Sequence, residues 1–198
     1  MTIAIVDYRA GNLTSVKKAV DRVTSGAVVT ADPQIVARAE KIILPGVGHF
    51  AATAVLGETG LRQAICASIQ RGVPFLGICV GLQWMIETSQ EAPAVKGLGI
   101  WPGECERFPA EVKSPHVGWN QLAIGNSRSR LLKQIPSGSF VYFTHSYRVP
   151  LLKATVAECE YGGRFSAAVE QGNLFGVQFH PEKSAAIGLK VLENFCGI

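Results

Sequence analysis

The sequence predicts an α/β fold: a three-layer sandwich whose central sheet is mainly parallel, with an antiparallel or mixed extension in the second half of the chain. Three observations predict it. Short, evenly apolar runs alternate with stretches of helical periodicity in the first half. Strand-like segments separated by turn residues then follow one another from about residue 99. Between the two patterns, a cysteine flanked by glycines stands at a strand-to-helix junction.

Residues 2–6 are the first strand. Residues 13–23 form a helix with Leu13, Val16, Val20 and Val23 on one face and Lys17, Lys18, Asp21 and Arg22 opposite, the spacing of a helix laid on a core. Val28-Val29 is a weak second strand. Asp32-Pro33 reads as an N-cap followed by proline at the first helical position, where no N–H is needed. Residues 41–44 are the third strand, ending in Pro45-Gly46-Val47-Gly48. A helix over 60–71 turns Leu61, Ala64, Ile65, Ser68 and Ile69 inward. Residues 73–76 are the fourth strand, and 80–87 the helix after it. Strands this continuously apolar are buried on both faces, as parallel strands are.

The second half offers strands over 103–108, 120–124, 140–149, 155–160, 166–171 and 174–179, then a last helix over 185–196 with Ile187, Val191, Leu192 and Phe195 on its core face. No linker or repeat divides the chain, so residues 1–198 are expected to form one domain.

Composition narrows the function. Of 198 residues, 47% are hydrophobic and 17% charged, which is a globular balance. The net charge of +4 is spread along the chain, so neither nucleic acid nor a membrane surface is an expected partner. No apolar stretch approaches the roughly 18 residues of a membrane span. The N-terminus carries no signal-peptide pattern. The five cysteines are widely spaced without a CxxC pair, which argues against disulfides or a zinc site and for a reducing cytoplasm. No metal or cofactor is expected.

Residues 77–83, Gly-Ile-Cys-Val-Gly-Leu-Gln, carry the strongest signal. Glycines two before and two after a nucleophile allow the sharp turn that leaves its side chain standing free at a sheet edge. The helix start beyond Cys79 offers unpaired N–H groups and a positive dipole end that favour a thiolate. A nucleophilic cysteine needs a base and a group to orient that base. His180 ends an apolar strand and precedes Pro181, which keeps it extended. In an extended chain residues i and i+2 lean the same way, so Glu182 can hold one imidazole nitrogen while the other faces a thiol. Each motif alone has a plain structural explanation, a strand–helix turn for one and a helix start for the other. Together they favour Cys79, His180 and Glu182 as nucleophile, base and orienter.

These stretches resemble the triad-type, class I glutamine amidotransferases over essentially the whole chain, which implies a flavodoxin-like sheet and release of ammonia from glutamine. By the resemblance, the Val80 N–H and a group of the 45–48 segment, Val47 or Gly48, would bind the oxyanion. Gln83, His145, Ser146 and Tyr147 would line the glutamine pocket. Three further stretches, Asp7-Tyr8-Arg9-Ala10-Gly11-Asn12-Leu13, His116-Val117-Gly118-Trp119-Asn120 and Tyr142-Phe143-Thr144-His145-Ser146-Tyr147, are similar to those of the glutaminase subunits of imidazole glycerol phosphate synthases. Position 9 holds arginine where that signature has glycine. The resemblance implies a separate cyclase subunit, a (βα)₈ barrel, forming a heterodimer through Asn12, Trp119, Asn120 and Lys183. It also implies glutamine turnover that is weak alone and raised by the partner and its nucleotide ligand, with the glycines of 45–48 permitting a peptide flip. Two other readings stand beside it: the glutaminase of another ammonia-channelling enzyme, such as pyridoxal phosphate synthase, and a non-catalytic binding module of the same fold.

Overall fold

A computed structural model describes residues 2–125 and 128–198. Eight strands form one sheet in the order β2 (Ala27–Thr30), β1 (Ile3–Val6), β3 (Lys41–Gly46), β4 (Phe75–Cys79), β13 (Leu174–Val177), β12 (Arg164–Gln171), β11 (Thr155–Glu160), β8 (Ala123–Ile124). The first five run parallel. The last three continue the sheet antiparallel. Every residue of β1, β3 and β4 is buried, so both faces of the sheet are covered there. β2 is the edge, and its Val28 and Val29 face solvent.

The helices follow the predicted periodicity. α1 (Leu13–Asp21) buries Val16 and Val20 and packs beside α6 (Ala185–Cys196), which buries Val191, Leu192 and Phe195. α2 (Pro33–Arg38) starts as its sequence indicates: the Asp32 side chain accepts from the Gln34 N–H at 2.8 Å, with Pro33 at the first position. α4 (Leu61–Gln70) lies against α2 and buries Leu61, Ile65 and Ser68. Arg9 adopts φ +65°, the left-handed region that the signature's glycine favours, and its N–H donates to Asp7 Oδ1 at 2.9 Å.

Several expected bounds shift, each for a visible reason. The helix after Cys79, α5, covers only Val80–Trp84, and β5 (Ile86–Ser89) follows where helix was expected. The carbonyls that would extend α5 are already taken: Trp84 O accepts from the Leu98 N–H at 2.5 Å and Met85 O from the Ile100 N–H at 2.9 Å. β5 pairs parallel with β6 (Trp101–Arg107) instead. The strand expected over 120–124 belongs to two sheets. β7 (His116–Gln121) pairs with β9 (Phe140–His145), while β8 pairs with β11. They part at the buried Leu122, whose N–H donates to Ser139 O. The strand over 140–149 likewise breaks at Ser146, and β10 (Tyr147–Arg148) turns to pair with β6. A 3₁₀ turn at Phe50–Thr53 and α3 (Ala54–Glu58) have no counterpart in the predicted elements.

Candidate active site

β4 lies in the middle of the eight-stranded sheet, with β3 on one side and β13 on the other. Cys79 is its last residue, at the carboxyl end, where open α/β sheets place their sites. Its backbone is strained, with φ +54° and ψ −107°. A non-glycine residue held there costs on the order of 1–3 kcal/mol, which the surrounding packing must sustain. The flanking glycines make the turn possible. A Cβ on Gly77 would stand 2.5 Å from the Gly81 carbonyl oxygen, and one on Gly81 would overlap the Leu44 carbonyl.

His180 and Glu182 arrive from the end of the neighbouring β13. The His180 N–H donates to Tyr142 O at 2.9 Å, which fastens the segment to β9. His180 Nδ1 lies 2.9 Å from Glu182 Oε1, and both side chains are only 1% exposed. Burial opposes a charge on His180. The Cys79 charge, a hydrogen bond to that sulfur and Glu182 outweigh it, so the His180 pKa stands well above the ordinary imidazole value. His180 Nε2 nevertheless lacks a hydrogen-bond partner of ordinary geometry. The sulfur meanwhile accepts from Gln178 Nε2 at 3.6 Å and lies 4.0 Å from Thr144 O.

Among the described residues, three buried side-chain polar atoms have no partner: His180 Nε2, Glu182 Oε2 and Tyr8 Oη. All three border this site. Burial, and after it the Cys79 charge, push the Tyr8 pKa up. A Cβ on Gly46 would come within 2.6 Å of that hydroxyl. Unpaired buried groups are rare elsewhere in proteins because each costs about 1–3 kcal/mol. Their gathering here sets the site apart from the core.

A cavity of about 30 Å³ opens at Cys79, lined by Gly48, Val80, Gln83, Glu91, Thr144, His145, Ser146 and Tyr147. The expected Gly48, Val80, Gln83, His145, Ser146 and Tyr147 therefore meet at the sulfur; Val47 is not among the lining residues. The volume is small beside an amino-acid side chain, so little free room stands at the sulfur. Gly48 in that wall has φ +109°, and a Cβ placed on it would meet nothing within 4 Å. Gln83 Nε2 donates to Tyr147 O at 2.8 Å and to Gln178 Oε1 at 3.2 Å. The two His145 ring nitrogens face Tyr147 O and His116.

Of the four residues expected to face a partner, two meet at one tyrosine. Trp119 is 52% exposed and meets Tyr142 edge to face, with ring centroids 6.1 Å apart. Lys183 Nζ stands 5.7 Å from the same Tyr142 ring. Trp119 and Lys183 thus bracket a tyrosine whose carbonyl holds His180. Asn12 precedes α1 without a side-chain cap bond, next to Gly11, where a Cβ would be 3.7 Å from Pro45 O. Asn120 is tied inward, its Nδ2 3.1 Å from Glu160 O.

Sequence reasoning missed Glu91, Gln178, Thr144 and Tyr8. Glu91 Oε2 accepts from the Phe50 N–H at 2.7 Å, which anchors the segment after Gly48 to the cavity. Gln178 had one local signal: it is a polar residue inside the apolar run that ends in His180.

The family described as "Glutamine amidotransferase class-I" matches residues 4–197. The chain is 50% identical over 196 residues to imidazole glycerol phosphate synthase subunit HisH of Moorella thermoacetica, covering 98% of this chain and 93% of that one. It is 46% identical to the HisH of Methanothermobacter thermautotrophicus, over 99% and 98% of the two chains. Among solved structures, a glutamine amidotransferase superposes with a TM-score of 0.77 at 17% identity, covering 100% of both chains. PurLQS of Thermotoga maritima does so with 0.76 at 22%, over 99% and 97%. These two agree in fold. The family match and the relatives go further than the fold: the chain belongs to the class-I glutamine amidotransferase family.

Proposed function

We infer that this chain is the glutaminase subunit of an imidazole glycerol phosphate synthase. It hydrolyses glutamine to glutamate and ammonia and passes the ammonia to a cyclase subunit, which forms imidazole glycerol phosphate and AICAR in histidine biosynthesis. The observation that carries the reading is the strained Cys79 at the end of the central strand, beside a His180 held by Glu182 at 2.9 Å.

The Cys79 thiolate attacks the side-chain amide carbon of glutamine. His180, held protonated by its neighbours, gives its proton to the leaving nitrogen, and ammonia departs from a thioester. Water then adds to that thioester as His180 takes its proton, releasing glutamate and restoring the thiolate. Glu182 keeps the imidazole turned to the sulfur. The Val80 N–H and a group of the Val47–Gly48 segment receive the oxyanion, each such donor contributing about 3 kcal/mol of barrier. Gln83, Ser146 and Tyr147 position the substrate, and the acidic Glu91 suits the glutamine ammonium.

The names of the relatives mark them as subunits. We assign the partner as a separate (βα)₈-barrel cyclase bound through Asn12, Trp119, Asn120 and Lys183, with residues 1–198 as one glutaminase domain. The small cavity at Cys79, about 30 Å³, supports gating, with the Gly48 side of the wall as the part that shifts to admit glutamine. All five cysteines are free and four are buried, which suits a reducing cytoplasm; among the described residues no helix is long and apolar enough to cross a membrane.

The test is glutamate release by the chain alone and with the cyclase subunit plus its nucleotide ligand. Turnover is expected to rise at least about tenfold in the complex, about 1.4 kcal/mol of barrier. Equal turnover with and without the partner contradicts the gating.

A further inference from the structure

β7 and β9 pair so that His116 stands opposite His145. Both rings are buried. His145 Nδ1 lies 2.9 Å from Tyr147 O, and a carbonyl only accepts, so Nδ1 carries the ring proton. Burial holds His145 neutral, with its pKa pushed down to about 3. Its Nε2 is therefore a bare acceptor, 3.2 Å from His116 Nδ1, which must donate. His116 is also kept neutral by burial, at about 4. Its Nε2 must then accept, and Asn120 Nδ2 stands 3.4 Å away.

The orientation of Asn120 is fixed independently. Its Oδ1 accepts from the Gln121 N–H at 2.8 Å, and its Nδ2 donates to Glu160 O at 3.1 Å. The hydrogen bonds therefore all point one way, from Asn120 to His116 to His145 to the Tyr147 carbonyl. The His116 ring is held between Phe143 and Tyr161, with centroids at 4.8 and 4.0 Å and planes within 21° of parallel. The Tyr147 carbonyl is also where Gln83 donates, and Gln83 reaches the Cys79 sulfur through Gln178.

We propose that His116 and His145 are positioning residues for the glutamine pocket: they form a one-directional hydrogen-bond relay from Asn120, beside the exposed Trp119, to the Tyr147 carbonyl at the cavity wall. This rests on the glutaminase reading for the identity of the pocket's occupant. The relay has two states rather than a continuum. If a partner group draws the Asn120 amide over, oxygen faces His116 Nε2, and the His116 ring proton must leave Nδ1 and return at Nε2 by exchange with water. His116 Nδ1 is then bare, the His145 proton passes from Nδ1 to Nε2 in the same way, and a bare His145 Nδ1 confronts Tyr147 O. The carbonyl moves, and the pocket wall and Gln83 move with it. A contact made at the β7 surface is thus felt at the sulfur through neutral groups, with no net charge moved.

The experiment uses the ¹⁵N-labelled full chain. Imidazole ¹⁵N spectra at neutral pH are expected to show both rings as the Nδ1–H tautomer, with His116 assigned through His116→Phe. Asn120→Asp keeps the shape and removes the donor; His116 is expected to switch to Nε2–H. The functional readout is labelling of Cys79 by a glutamine-like electrophile. In Asn120→Asp the concentration for half-maximal labelling should rise about tenfold, the worth of one buried hydrogen bond, while the limiting rate changes less than about threefold. His116→Phe keeps the stacked ring, deletes both nitrogens and should give the same split. Nε2–H tautomers in the unaltered chain overturn the relay. So does an Asn120→Asp chain whose tautomer switches while half-maximal labelling stays within about twofold. A different failure, an unaltered chain that neither labels at Cys79 nor releases glutamate, sinks the glutaminase reading and the relay's role with it.

Discussion

His180 is where buried charge and chemistry meet. Its two neighbours act in one direction, since the Cys79 charge and Glu182 both favour the imidazolium, and together they outweigh the burial that opposes it. Replacing Cys79 by alanine removes the first of the favourable causes and leaves burial in place, so the His180 pKa should fall. An NMR titration of its ring protons checks this; an unchanged titration would mean that the sulfur does not hold the proton. The sign for stability follows from the raised value. Below the ordinary imidazole pKa of about 6.5 the folded and unfolded chains both carry the proton, and the pair's stabilisation is complete. It fades as the pH climbs through the raised folded-state value. Arg9 shows a second residue under constraint. It occupies a left-handed turn that glycine would enter freely, with only its N–H bond to Asp7 in partial compensation.

The elbow is built by close approach between elements as much as by the strand and helix themselves. α5 begins against β3 so tightly that a Cβ on Gly81 would coincide with the Leu44 carbonyl. Gly81→Ala should therefore destabilise the fold by about 3 kcal/mol, lowering the melting temperature by roughly 10 °C. Thermal unfolding measures it, and an unchanged melting temperature would contradict this close packing. Gly48 is the opposite case, open in space and restrained only by its backbone angle. Elements whose signals are local were legible in the sequence. The Asp32-Pro33 cap, the apolar face of α6 and the Gly-x-Cys-x-Gly and His-Pro-Glu stretches each declare themselves within a few residues. What stayed hidden depends on partners distant in the chain. α5 stops where it does because residues 98–100 take its carbonyls, and 116–124 divides because β9 and β11 belong to different sheets. Glu91 reaches the cavity through a contact with Phe50, and the alignment of His116 with His145 appears only once β7 and β9 are in register.

At the scale of the molecule, the site is assembled from neighbouring strands with little free room at its centre. Three adjacent parallel strands deliver Gly46, Cys79 and the His180 segment to one edge of the sheet. The cavity between them holds about 30 Å³. In the proposed complex, the second subunit docks on the side that bears Trp119 and Lys183, opens that cavity and receives the ammonia before water can dilute and protonate it. Glutamine hydrolysis and ammonia use are then separable functions of two chains. The most direct measurement is synthesis by the complex of the cyclase subunit with the Cys79→Ala chain, supplied either with glutamine or with ammonium salt. Glutamine-driven synthesis should fall by at least about a thousandfold, as when a nucleophile is removed, while ammonia-driven synthesis is retained. Glutamine-driven synthesis that survives the substitution would contradict the role of Cys79 as the nucleophile that frees the ammonia.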